Sequence, residues 1–231
     1  MSVPFRPPDM TPPLALDIDG TLTTPDGAVD SRAFQALPAW DAPVVLATGK
    51  SFPYPVALCH FLGIPETVVA ENGGVVCAGD TVRFAGDRER AERVVETFEA
   101  RGGDVGWGDA DLVNRWRETE LAVHIEADEA LLREVAAEFD TEVVDTGYAY
   151  HVKTPGVEKG DGLRLVAEEL GRSPEEFVAV GDSENDASTF EVAGRSFAVA
   201  NADAVARDAA DVVLEEGYMD GTLAALEAIR S

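Results

Sequence analysis

The chain has 231 residues, of which 44 are acidic and 18 are Lys or Arg, so its formal net charge at pH 7 is −26. A charge of that size opposes binding to nucleic acid and to anionic membranes. Two cysteines are too few for a disulfide framework, and no apolar run approaches the roughly 20 residues that span a bilayer. Residues 1–13 form a proline-rich N-terminal extension without the apolar stretch of a secretory signal. We therefore expect a cytoplasmic protein with neither a nucleic-acid nor a membrane partner.

The surface charge also predicts the salt conditions that suit the protein. Acidic residues are scattered along the chain rather than gathered in a tail, and lysine occurs only at Lys50, Lys153 and Lys159. In molar salt the Debye length falls to about 3 Å, which screens the repulsion between like charges. The composition therefore predicts a halophilic protein whose charge mainly keeps it in solution.

Short buried strands are predicted in the first third of the chain. Apolar runs at 14–19, 44–47 and 67–70 each lead into acidic residues, glycine or other polar residues. This pattern is typical of strands that are buried on both faces and open into a loop.

Between residues 75 and 154 the pattern changes. Two short apolar runs at 75–77 and 82–84 predict a hairpin, and helical periodicity predicts helices at 87–101 and 129–139. Further strands are predicted at 121–125, 142–144 and 148–152, the last two joined by a turn at 145–147. We interpret residues 75–154 as a second, smaller domain in which two helices cover an antiparallel sheet.

The alternation of strand and helix resumes after this insertion. A helix is predicted at 161–170, a capping-box turn at 173–176, and strands at 177–180 and 196–200. Residues 14–74 and 155–231 thus form one α/β unit, a Rossmann-like doubly wound parallel sheet with helices on both faces. Ligands of such sheets gather at the carboxyl ends of the strands.

Polar residues follow the predicted strands at four places. Asp17 and Asp19 lie two residues apart at a strand end, so both carboxylates can serve one site. The alternative is a strand-capping acid followed by a turn acid. Gly20 comes at the fourth position of this loop rather than the sixth, which excludes a calcium loop of the EF-hand kind.

The second place is the turn at 181–186. Asp182, Asn185 and Asp186 offer the oxygen ligands that Mg²⁺ prefers, although a solvated turn that caps the next helix explains this segment better when it is taken alone. Thr48 and Gly49 follow the second strand and are also candidates for this site, and the alternative is that they belong to an ordinary loop. Lys159 precedes a helix start, where the macrodipole disfavours a cation, so a bound anion or a surface position would account for it.

The order of these motifs resembles that of the haloacid-dehalogenase-like phosphohydrolase superfamily. DxDGT, Thr-Gly, a lysine and GDxxND follow one another between residues 14 and about 214. The insertion, together with residues 71–74 (Glu-Asn-Gly-Gly), resembles the members with a type C2 α/β cap domain. Lys50 stands where many relatives carry Arg or Asn.

The resemblance implies a magnesium-dependent phosphatase that acts through an aspartyl-phosphate. Asp17 would be the nucleophile and Asp19 the acid and base, while Mg²⁺ would be held by Asp17, the Asp19 carbonyl, Asp182 and, directly or through a water molecule, Asp186. The residues implied to bind the phosphoester are Thr48, Gly49, Lys159 and Asn185.

The closer resemblance is to archaeal phosphoglycolate phosphatases, which implies a small phosphorylated metabolite as substrate. The carboxylate of phosphoglycolate would need a cation or hydrogen-bond donors from the insertion or its hinges. The candidates are Arg115, Arg117, His124 and His151, and the alternative for each is a surface or interface position. A sugar phosphatase of the same superfamily is the alternative, and a homodimer is compatible with the sequence.

Two functions of other classes share part of this pattern. A phospho-accepting aspartate near Thr and Lys is also found in response-regulator receivers, which are shorter and have no insertion. A protein that only binds a phosphometabolite is the other alternative, and the presence of Asp17, Asp19, Lys159 and Asp182 disfavours it.

Overall fold

The computed structural model describes residues 11–146 and 148–230. The turn residue Gly147 and most of the predicted N-terminal extension, residues 1–10, lie outside the described residues. The strands in this part of the chain are β1 (Leu14–Leu16), β2 (Val44–Ala47), β3 (Val68–Ala70), β4 (Val75–Ala78), β5 (Thr81–Phe84), β6 (Leu121–His124), β7 (Glu142–Asp145), β8 (Ala149–Lys153), β9 (Val178–Gly181), β10 (Arg195–Ala198) and β11 (Val212–Val213). The helices are α1 (Ala33–Ala36), α2 (Pro53–Leu62), α3 (Arg88–Ala100), α4 (Glu129–Glu138), α5 (Lys159–Glu169), α6 (Ala187–Val192), α7 (Ala204–Ala209) and α8 (Tyr218–Arg230), with 3₁₀ turns at Glu71–Gly73, Pro174–Glu176 and Glu184–Asp186.

The main sheet has eight strands in the order β11-β10-β9-β1-β2-β3-β4-β5. The six strands from β11 to β3 are parallel, and β1 lies between β2 and β9 with Leu16 in register with Leu46 and Val180. All residues of β1, β2 and β9 are buried, as parallel strands covered on both faces require.

Helices cover both faces of this sheet. Leu14 and Leu16 belong to a hydrophobic cluster with side chains of α1, α2 and α8, whereas Ala15 belongs to a second cluster with side chains of α5, α6 and α7. Neighbouring residues of a strand point to opposite faces, which explains this division. The predicted doubly wound α/β fold is therefore confirmed.

The β4–β5 hairpin belongs to the main sheet. β4 pairs antiparallel with β3, with Val68 beside Cys77, and β5 continues the same edge. Our prediction that this hairpin forms part of the sheet of the inserted domain was wrong. The 3₁₀ turn at Glu71–Gly73 reverses the chain directly after β3, so β4 covers the edge that β3 would otherwise leave unpaired.

The remaining insertion forms a unit of its own. β6, β8 and β7 make an antiparallel sheet with β8 in the centre, and α3 and α4 cover one face of it through a separate hydrophobic cluster. We call residues 85–154 the inserted unit. Among the described residues, no helix combines the length and the apolar character needed to cross a membrane.

Candidate active site

The carboxyl ends of β1 and β9 bring three acidic side chains together. Asp17 follows β1 directly and donates its backbone N–H to the Val180 carbonyl oxygen at 3.0 Å, while Asp182 follows β9. Carboxylate oxygens of Asp17, Asp182 and Asp186 all lie within 4.8 Å of one another. Pairs of strands that end in register therefore place residues from distant parts of the chain at one edge.

Lys159 lies between two of these acids. Its Nζ donates to Asp17 Oδ1 and to Asp186 Oδ1, each at 2.7 Å, and only 1% of the residue is exposed. It is the first residue of α5, whose start is held by a capping box between Glu158 and Asp161. Burial by itself would lower the pKa of Lys159, but Asp17 and Asp186 outweigh it and raise the pKa, so the ammonium group stays charged.

The cluster contains more negative than positive charge. Burial raises the pKa of Asp17 well above its ordinary value, with Lys159 opposing the shift and Asp186 adding to it. Burial and the neighbouring Asp186 raise the pKa of Asp182 to about 7. Asp182 Oδ1 is moreover buried without a hydrogen-bond partner. Unbalanced carboxylates and an orphaned buried oxygen fit a hard divalent cation such as Mg²⁺.

The turn that carries Asp186 is held by its own backbone. Asp186 Oδ2 accepts hydrogen bonds from the backbone N–H groups of Asp182 and Ser183, at 3.0 and 3.1 Å.

Gly20, on the facing loop, has a φ of +78°, and a Cβ there would lie 2.0 Å from Asp182 Oδ2. The close approach of the two loops therefore requires glycine at this position.

Asp19 lies outside the buried cluster. Its side chain is 53% exposed, and a carboxylate oxygen lies 3.1 Å from Lys50 Nζ. Thr48 is buried, and its hydroxyl oxygen accepts the backbone N–H of Lys50 at 3.1 Å. Asp19 and Lys50 thus lie on the exposed side of the site, whereas Thr48 is buried.

Asn185 is linked to a buried network that the sequence analysis missed. Its Nδ2 donates to Asn72 Oδ1 at 3.0 Å, and Asn72 Nδ2 donates to Glu120 Oε2 at 3.2 Å. Glu120 also bonds Arg117 Nη1 and lies 2.7 Å from His151 Nδ1. Glu120 precedes an apolar strand in the sequence, but no local pattern marks a buried carboxylate whose partners are distant in the chain.

The structure places only two of the four residues that were candidates for binding the substrate carboxylate next to the site. Arg117 and His151 are buried beside the site, and Arg117 Nη1 also donates to the Gly49 carbonyl oxygen at 3.1 Å. Arg115 is exposed and lines a surface groove of the inserted unit. His124 packs edge-on against Trp107, with ring centroids 4.9 Å apart.

Glu71 fastens the inserted unit to the core. Its carboxylate accepts the backbone N–H groups of Glu118 and Thr119 and the Thr119 hydroxyl, at distances between 2.8 and 3.0 Å. Burial and the nearby Glu120 raise the pKa of Glu71, while the Thr119 hydroxyl opposes the shift.

The chain belongs to the haloacid dehalogenase-like hydrolase family, which it matches over residues 14–111 and 110–226. It is 65% identical over 224 residues to the phosphoglycolate phosphatase of Halorubrum lacusprofundi, a match that covers 96% of this chain and 99% of that protein. It is 57% identical to the phosphoglycolate phosphatase of Natronomonas pharaonis, with the same coverage. A crystal structure of a Thermoplasma acidophilum protein is similar with a TM-score of 0.84 and 25% identity, over 96% of this chain and 99% of that one. The predicted superfamily is thereby confirmed, and the chain is an enzyme of a hydrolase family.

Proposed function

We propose that this enzyme is a magnesium-dependent phosphatase that hydrolyses 2-phosphoglycolate to glycolate and phosphate through an aspartyl-phosphate. One observation carries the proposal: a buried lysine contacts Asp17 and Asp186 in a cluster whose carboxylates exceed its cations. Such a site suits a metal ion and a phosphoryl group together. The names of the relatives from Halorubrum lacusprofundi and Natronomonas pharaonis support the substrate.

Asp17, Asp182, Asp186 and the backbone carbonyl of Asp19 would hold Mg²⁺. The ion, when bound, would lower the repulsion between the Asp17 carboxylate and the anionic phosphoester. Lys159 contributes a second positive charge, because its ammonium group stays protonated between two carboxylates. The two charges together offset the strongly negative field of the protein inside the site.

In the first step Asp17 attacks phosphorus in line with the leaving oxygen. A bond forms between the Asp17 carboxylate oxygen and phosphorus, and the bond from phosphorus to the substrate alkoxide oxygen breaks. Asp19 donates its proton to the leaving oxygen, so glycolate leaves as an alcohol. The exposed position of Asp19 suits this exchange of protons.

In the second step water hydrolyses the aspartyl-phosphate. Asp19, now ionised, removes a proton from a water molecule that attacks phosphorus, and the bond to Asp17 breaks to release phosphate. Both carboxylates return to their starting states.

The phosphoryl oxygens are held by groups around the cluster. The proposed set is the Thr48 hydroxyl, the Gly49 backbone, the Lys159 ammonium group and the Asn185 amide. The inserted unit acts as a cap that excludes bulk water and restricts the size of the leaving group. Two- and three-carbon phosphoesters should therefore be preferred.

A substrate panel tests this proposal. We would measure kcat/KM for 2-phosphoglycolate, ethyl phosphate, glycerol phosphate and a hexose phosphate with Mg²⁺ in molar KCl. Phosphoglycolate should exceed ethyl phosphate by at least ~10-fold, because one charge-assisted hydrogen bond to its carboxylate contributes about 1.5–3 kcal/mol.

Other outcomes favour the alternatives. Equal or faster turnover of the hexose phosphate would favour a sugar phosphatase. A stable phosphoprotein that turns over none of the esters would favour a receiver-like switch, and binding without phosphorylation would favour a phosphometabolite-binding protein.

A further inference from the structure

Glu120 is buried where the inserted unit meets the core, and the proposed reaction gives it no role. Only 1% of Glu120 is exposed. Its carboxylate contacts Arg117, His151 and the Asn72 amide, which we call the junction network. Arg117 and His151 belong to the inserted unit, whereas Asn72 belongs to the turn after β3.

Asn72 carries this network to the proposed substrate site. Its backbone has a φ of +53°, and its N–H donates to the Thr48 carbonyl oxygen at 3.2 Å. Its side-chain Nδ2 faces Glu120, at 3.2 Å from Oε2, so its Oδ1 faces Asn185 and accepts Nδ2 at 3.0 Å. The negative charge of Glu120 therefore selects which end of the Asn72 amide points toward Asn185.

Asn185 is fixed from its other end as well. Its Oδ1 accepts the Ser183 hydroxyl at 2.9 Å, within the turn that carries Asp182 and Asp186. The two bonds together determine the plane of the Asn185 amide. A change at Asn72 would consequently leave this amide with one of the two protein partners that it has in the described part of the chain.

We propose that Glu120 is a positioning residue that acts through Asn72 to orient Asn185 for the substrate. This inference rests on the proposed function, in which Asn185 binds the phosphoester. A neutral amide in place of Glu120 offers one acceptor oxygen to three donors, so the Asn72 amide loses its fixed orientation. The contact between Arg117 and the Gly49 carbonyl oxygen does not need the carboxylate.

Glu71 provides a matched control. It is a buried glutamate at the same junction, also 1% exposed, and it binds the backbone of the inserted unit. No hydrogen bond of its carboxylate leads to Asn72 or Asn185 among the described residues. Glu71→Gln therefore removes a charge at the junction without changing the hydrogen bonds that lead from Glu120 through Asn72 to Asn185, which we call the relay.

The experiment compares steady-state kinetics of Glu120→Gln, Glu71→Gln, Asn72→Gly and the double variant Glu120→Gln/Asn72→Gly on 2-phosphoglycolate with Mg²⁺. Glycine tolerates the positive φ of Asn72, so this substitution removes the amide without backbone strain. Glu120→Gln should lower kcat/KM by about 10-fold, mainly through a higher KM, while Glu71→Gln stays within about 2-fold of wild type. The double variant should match Asn72→Gly within about 2-fold, because a residue that acts through Asn72 has no effect once Asn72 is gone.

Two results would overturn the inference: an unchanged KM in Asn72→Gly, or effects of the two substitutions that multiply in the double variant. The KM of Asn72→Gly tests the inference even if Glu120→Gln fails to fold. Asp17→Asn separates the two proposals. If that variant stays active, the proposed function fails; if it is inactive while Glu120→Gln and Asn72→Gly match wild type, only the relay fails.

Discussion

Two buried charged regions lie side by side in this enzyme, and they differ in how their charges are balanced. In the cluster at the carboxyl edge of the sheet, the three carboxylates of Asp17, Asp182 and Asp186 face Lys159. In the junction network, a single carboxylate, Glu120, faces Arg117 and His151.

The pKa shifts follow this difference. Burial opposes the ionisation of Glu120, yet His151 and Arg117 outweigh it and hold the pKa of Glu120 at about 2. Burial and like charges instead raise the pKa of Asp182 to about 7. A buried charge that the protein itself compensates supports structure, whereas an uncompensated one indicates where a ligand of opposite charge binds.

The largest expected effect is on catalysis at the carboxylate cluster. Asp17→Asn should lower kcat by about 10³-fold or more while the fold is retained, because an amide is a poor nucleophile and a poor metal ligand. The measurements are kcat on 2-phosphoglycolate and thermal unfolding of the same preparation. A variant that keeps a tenth of the wild-type kcat would contradict the covalent route.

The junction network should respond through stability. Glu120→Ala leaves Arg117 buried without its carboxylate, which should reduce the free energy of unfolding by about 3–5 kcal/mol. Denaturant unfolding at constant pH and salt measures this change. A loss below about 1 kcal/mol would mean that Glu120 does not compensate the buried charge of Arg117.

In the metal-free protein, removing a carboxylate from the cluster should increase the free energy of unfolding, whereas Glu120→Ala should decrease it. The folded pKa of Asp182, about 7, lies above its unfolded value, so this group costs stability as the pH rises from about 4 to about 7. Asp182→Asn should therefore stabilise the metal-free protein at pH 8, by on the order of 4 kcal/mol, and change it little at pH 4. Unfolding curves at both values with a chelator present provide the measurement, and equal effects at the two pH values would exclude this cause.

The smallest expected effect concerns the exposed charges. Molar KCl should raise Tm by several degrees, since about 1 kcal/mol corresponds to about 2–4 °C in a protein of this size and screening weakens surface repulsion. The buried groups are screened much less, so the effects of Glu120→Ala and Asp182→Asn should persist in molar KCl. A Tm that is independent of KCl would remove the high-salt interpretation of the composition.

Local sequence was enough to predict five of the parallel strands of the core, β1, β2, β3, β9 and β10, and the polar residues that follow them. β1, β2 and β9 are buried on both faces, so each is a short apolar run that stands out in the sequence, and the polar residues that follow it must leave the sheet at the same edge. This is why Asp17 and Asp182 could be placed at one site without knowledge of the structure, although the roles of Asp17 as nucleophile and of Asp182 as metal ligand stay predictions.

Tertiary structure decided the features that depend on distant partners. The β4–β5 hairpin could have paired with either sheet, and the unpaired edge of β3 determined which one it joined. Glu120 and Asn72 are 48 residues apart, and Lys159 lies 142 residues from Asp17. A buried charge is tolerated only when groups of opposite charge or hydrogen-bond partners are buried beside it. The packing of the inserted unit on the core determines which groups these are, and the neighbouring residues in the chain do not.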